Sequence, residues 1–84
     1  MSRYEKLLDK LFDAARDQTW EFSDLCVLLR RLGFQERNSG GSHVVFKHPM
    51  VIERITLQPN HGKAKPYQIR QIREILNHHP EIRL

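Results

Sequence analysis

Apolar residues recur at helical spacing in two early stretches and one late one, and at strand spacing between them. Tyr4, Leu7, Leu8, Leu11, Phe12 and Ala15 form the first stripe, the 3.6-residue period of an amphipathic helix. Ser2 and Glu5 have the form of a capping box at its start, and the pattern predicts an end near residues 16–18. Residues 19–21 read as a short connection. Ser23 then reads as the N-cap of a second helix, with Phe22 before it stapled to Val27. Leu25, Leu28, Leu29 and Leu32 supply its buried stripe, with Cys26 as an inert small side chain among them. Gly33 is suited to the left-handed residue that ends a helix.

The period then changes to two. Residues 34–38 read as a first strand, and Ser39-Gly40-Gly41 as the turn into a second, making a hairpin. Along Ser42-His43-Val44-Val45-Phe46-Lys47, alternate side chains point to opposite faces. Val44 and Phe46 claim the core side, so His43 and Lys47 share the outer face. Pro49 stops the strand. Residues 53–58 alternate again, with Ile55 and Leu57 inward and Arg54, Thr56 and Gln58 outward. Residues 59–65 form a polar loop, and Pro66 opens a last helix at a position where its missing N–H costs little. Ile69, Ile72, Ile75 and Leu76 form the buried side of that helix, with Arg70 and Arg73 largely elsewhere. Pro80 blocks its continuation, and the tail beyond is expected to be mobile. The order is helix, helix, three strands, helix. It predicts a two-layer α+β domain, a three-stranded antiparallel sheet with helices on one face.

Charge sharpens this picture. Up to Ser42, seven Lys/Arg balance seven Asp/Glu; from His43 onward seven Lys/Arg face three Asp/Glu, and all five histidines lie there. The net charge of +4 therefore sits wholly in the second half, which favours a polyanionic partner for that half. In 84 residues one modest core is expected. No apolar run reaches the roughly 20 residues of a membrane span, and no secretory apolar segment opens the chain. Cys26 is the single cysteine, which excludes an intrachain disulfide. A cytoplasmic protein without membrane contact is expected.

Candidate chemistry narrows quickly. His43 and His48 are five apart and would face opposite ways on a continuous strand. No H-x-x-x-H or C-x-x-C spacing exists for zinc, and Glu53, Glu74 and Glu81 are too scattered for Mg²⁺. No metal or other cofactor is expected. Ser42 points away from His43 and lacks a nucleophile elbow. Ribonuclease chemistry fits better, because the RNA 2′-hydroxyl is itself the nucleophile. The protein needs only proton transfer and cations for the charged phosphorane. An imidazole with a pKa near ~6.5 serves the first need. His43 supplies it, and Lys47, Arg54, His61, Lys63 and Lys65 are the candidate RNA-binding residues. His48, beside Pro49, reads as a structural turn residue.

The stretch Gly41-Ser42-His43-Val44-Val45-Phe46-Lys47-His48-Pro49 resembles the Gly-Ser-His signature of the HicA family, small toxin ribonucleases of bacterial toxin–antitoxin pairs. Asp24-Leu25-Cys26-Val27-Leu28-Leu29-Arg30-Arg31-Leu32-Gly33-Phe34 before it matches in order. So do Leu57-Gln58-Pro59 and Gly62-Lys63-Ala64-Lys65-Pro66-Tyr67 after it. The resemblance spans residues 22–76. It implies a double-stranded-RNA-binding-like α-β-β-β-α core, to which the first helix is an addition. Residues 1–18 would then be an N-terminal helical extension and residues 19–84 the HicA-like domain. The resemblance also implies mRNA as substrate, His43 as catalytic residue and a HicB-type antitoxin that occludes the active face. Two other readings compete: a non-catalytic RNA-binding module, and a protein-interaction domain that uses the N-terminal helix.

Overall fold

The computed structural model describes residues 2–38 and 43–84. The elements are α1 (Arg3–Leu11), a 3-10 helix (Ala14–Thr19), α2 (Phe22–Arg31), β1 (Gln35–Asn38), β2 (Val44–Lys47), β3 (Ile55–Leu57) and α3 (Pro66–His78). The strands form one antiparallel sheet in the order β1-β2-β3. This is the α+β fold expected, an α-β-β-β-α core preceded by a helix. The turn expected at Ser39-Gly40-Gly41 and the hydroxyl of Ser42 lie outside the described residues.

The helices share one core with the inner sheet face. Phe46, Ile55 and Leu57 from the sheet meet Leu25, Leu28 and Leu29 of α2, and Ile69, Ile72, Ile75 and Leu76 of α3. Leu7 and Leu11 of α1 belong to the same cluster, so the N-terminal helix is built into the domain's core. No helix among the described residues is long and apolar enough to cross a membrane.

The first helix is shorter than its apolar stripe predicts. Its capping box forms as expected, Ser2 accepting from the Glu5 N–H and Glu5 accepting from the Ser2 N–H. It stops at Leu11, however, and Phe12, Ala15 and Tyr4 are exposed. Two causes act there. Asp13 caps a new 3-10 helix by accepting from the Ala15 N–H at 3.2 Å, and Arg73 of α3 donates to the Leu11 carbonyl at 3.0 Å. A distant arginine thus satisfies a carbonyl that the helix end leaves open.

The second helix also begins differently from expectation. Its N-cap is Glu21, with no side-chain cap bond, and Ser23 lies inside the helix. Tertiary partners replace the missing cap: the Phe22 N–H donates to the Gly62 carbonyl at 3.0 Å. Two residues earlier the Trp20 carbonyl accepts from the Ala64 N–H, also at 3.0 Å. The connection before α2 is therefore no mere linker, and Trp20 is fully buried. At the other end Gly33 takes φ +97, the left-handed conformation foreseen for it, under the ring of His48. The tail expected to be mobile is docked. Ile82 is buried, its N–H donates to the His79 carbonyl, and the Arg83 guanidinium lies over the Phe12 ring.

Candidate nucleic-acid interface

Register decides which side chains share the open sheet face. In the β1–β2 pair, Gln35 faces Lys47 and Arg37 faces Val45. In the β2–β3 pair, Val45 faces Thr56 and Phe46 faces Ile55. Phe46, Ile55 and Leu57 are buried against the helices. By the period of two, the opposite face carries Gln35 and Arg37, then Val45 and Lys47, then Arg54 and Thr56. His43 stands one residue before β2, exposed, and in phase with Val45 and Lys47. The register gives Lys47 the outward side expected for it; His43 lies just before the paired residues.

The cations on that face are not equivalent. Arg37, Val45, Lys47 and Arg54 line a groove of about 360 Å³ with no carboxylate in its walls. Arg54 is exposed and has no side-chain partner among the described residues. The Arg37 guanidinium donates to the Gln35 side-chain oxygen at 3.3 Å, its one side-chain hydrogen bond among the described residues. The Lys47 ammonium is committed inward along the next loop, donating to the Val51 carbonyl at 2.7 Å and the Ile52 carbonyl at 2.8 Å. An ammonium has three protons, so at most one remains for a ligand. Lys47 also lies four residues from His43, about 13 Å along an extended chain at ~3.3 Å per residue. The two share a face but do not stand side by side.

The loop expected to add His61, Lys63 and Lys65 leaves the sheet at the His43 end, because Leu57 pairs with Val44. Asn60 and Lys63 exchange both backbone hydrogen bonds, at 2.9 and 3.0 Å. Between them His61 takes φ 53 and Gly62 φ 79. Two successive positive φ values make a type I′ turn, with His61 exposed at its tip. Lys63 is turned away to an ion pair with Glu21, before α2. Lys65 is the N-cap residue of α3, half-buried, and its ammonium has no partner among the described residues. The structure thus groups Lys47 with Arg54, sets His61 and Lys65 on the loop beyond the His43 end, and neutralises Lys63.

Arg37 was missed by the sequence reading. Its signal was available: β1 was expected, and pairing it with β2 in a hairpin puts alternate residues of β1 on the same open face. His48 fits the structural role expected of it. Its Nδ1 accepts from the Met50 N–H at 3.0 Å, and its ring stands edge-on to Phe34 with centroids 5.0 Å apart. Burial pushes the Cys26 thiol up, which keeps it protonated and unreactive. Among the described residues no group of three or more His, Cys, Asp or Glu is placed to hold a metal ion.

A family model described as the HicA toxin of bacterial toxin–antitoxin systems matches residues 22–78. That span opens at α2 and closes with α3, so it takes in all three strands and the two helices packed on them. No curated protein matches the chain, and no solved structure does.

Proposed function

For a chain that belongs to the HicA toxin family, we propose the activity of a metal-independent endoribonuclease that cuts mRNA with His43 as its proton-transfer residue. The observation that carries this reading is the exposed imidazole of His43 at the end of an open sheet face bearing Arg37, Lys47 and Arg54. Such a face attracts a phosphodiester chain electrostatically, and it leaves the imidazole free to meet the sugar–phosphate backbone.

The chemistry follows from RNA's own nucleophile. The 2′-hydroxyl oxygen forms a bond to the adjacent phosphorus while the bond from phosphorus to the 5′-oxygen of the next nucleotide breaks. One proton leaves the 2′-oxygen and one reaches the 5′-oxygen. The products are a 2′,3′-cyclic phosphate and a free 5′-hydroxyl. An imidazole carries one ring nitrogen that can accept a proton and one that can donate, so it serves either transfer. The cations supply the electrostatic half, holding the negative chain in place.

Membership of a toxin–antitoxin family implies a protein antitoxin partner. We take it to be of the HicB type and to cover the His43 face in the cytoplasm. The reading is tested by incubating the purified protein with a long RNA, with and without EDTA. Fragments ending in a cyclic phosphate are expected in both samples, together with growth arrest on expression that the antitoxin relieves. Intact RNA in both samples, with binding retained, would instead make the protein a non-catalytic RNA-binding module.

A further inference from the structure

The groove's floor begins at Val45, about 7 Å along the strand from His43 at ~3.3 Å per residue, and runs on to Lys47, so a phosphate held at its centre is not the one that reacts at His43. Lys47 lies about 13 Å along the strand from His43, at ~3.3 Å per residue, a span longer than the separation of neighbouring phosphates in a chain. Lys47 also spends two of its protons on the Val51 and Ile52 carbonyls. The groups left to act on a ligand are the guanidinium groups of Arg37 and Arg54. Arg37 stands on β1 and Arg54 directly before β3, with β2 between them; the register offsets them by two residues, about 12 Å apart at ~4.8 Å per strand and ~3.3 Å per residue. Val45 forms an apolar floor between them. Among the described residues neither arginine is paired with a carboxylate, whereas Arg3, Arg30 and Arg73 all are. Two unneutralised guanidinium forks over a short apolar floor suit one tetrahedral, doubly hydrogen-bonding anion.

We infer that this groove is a substrate-positioning subsite. Arg37 and Arg54 grip one backbone phosphate of the RNA, more than one nucleotide away from the bond cut at His43, and Lys47 braces the adjoining loop and adds charge. The inference rests on the ribonuclease reading above. It assigns Arg37 a role and removes Lys47 from the reacting phosphate. Gripping a remote phosphate fixes the register of the chain on the sheet and holds substrate and transition state equally, binding that shows in KM and not in kcat.

The test uses a short single-stranded RNA carrying 2′-O-methyl groups, which binds but has no nucleophile, titrated by fluorescence anisotropy at several salt concentrations. On the His43→Ala protein, adding Arg37→Gln and Arg54→Gln is expected to raise Kd at least about tenfold at ~0.1 M salt. The slope of log K against log salt should flatten by about 0.7, the value for one phosphate of a single strand. Val45→Glu, which places a negative charge on the floor, should weaken binding further without touching either arginine. With cleavable RNA, the two arginine substitutions alone should raise KM and leave kcat and its pH profile unchanged. Parent-like Kd and slope in the double variant would overturn the proposal, as would a loss confined to antitoxin binding. A fall in kcat at constant KM would also overturn it, by moving the groove to the reacting phosphate. A parent protein that never cuts RNA would sink the catalytic reading while the anisotropy titration still decides the subsite.

Discussion

Arg73 of α3 holds Asp17 of the 3-10 helix with both arms of its guanidinium. Nη1 reaches one carboxylate oxygen and Nη2 the other, each at 2.8 Å. Nη1 also donates to the Leu11 carbonyl, so one side chain joins α3 to the end of α1 and to the turn after it. The Asp17 side chain is only 9% exposed and that of Arg73 16%. Breaking a pair so enclosed leaves a charge without a partner, which costs about 3–5 kcal/mol. Arg73→Ala is therefore expected to lower stability by about 3 kcal/mol in urea unfolding at neutral pH. A loss within the scatter of a surface substitution at Arg16 would show the pair to be incidental.

The same pair predicts an acid dependence. The hydrogen bonds from Arg73 hold the Asp17 carboxyl below its usual value, against the opposing effect of burial. Arg73 is pushed up by its bond to Asp17 and stays charged throughout. A carboxyl with a depressed folded pKa adds stability above its unfolded pKa, near ~3.9, and that contribution is lost as pH falls through the folded value. The parent should lose stability below about pH 4, and Asp17→Asn should start lower at pH 7 and fall less steeply over that window. Parallel curves for the two proteins would contradict the assignment.

Removing residues 2–17 should destabilise the whole domain, because Leu7 and Leu11 are core residues and Asp17 holds Arg73. In the intact chain Leu29→Ala should cost roughly 2–5 kcal/mol. Thermal melts of both variants check this. A truncated protein that melts like the parent would make the N-terminal helix a separable appendage.

Lys47→Gln should loosen the loop after β2, since two charged hydrogen bonds to the Val51 and Ile52 carbonyls disappear. Faster amide exchange across residues 48–53 is the expected readout, with Arg54→Gln as the unaffected control. Equal protection in all three proteins would show that the ammonium does not hold the loop.

Much of this fold was legible because short-range patterns specify it. The capping box at Ser2 and Glu5, the leucines of α2, Gly33, the alternation of β2 and β3, and Pro66 all acted locally. The departures came from partners far away in sequence. Arg73 helps to end α1 at Leu11, Gly62 replaces a side-chain cap on α2, and Ala64 ties down Trp20. None of these leaves a periodic trace. At the candidate site, the outer face followed from strand alternation, but the fate of each cation did not. Lys63 is paired with Glu21 and Lys47 bonds two carbonyls, while Arg37 stands open because its hairpin partner is Val45.

The central claim is that His43 transfers protons in RNA cleavage, and cleavage by His43→Ala tests it most directly. The side chain is exposed and contributes little packing, so the melting temperature should stay within a degree or two of the parent. RNA affinity should survive, because the cations remain. The cleavage rate should fall by ~10²–10⁴, the usual cost of losing a general acid or base. A folded His43→Ala protein that binds RNA and cuts it at the parent's rate would contradict the account.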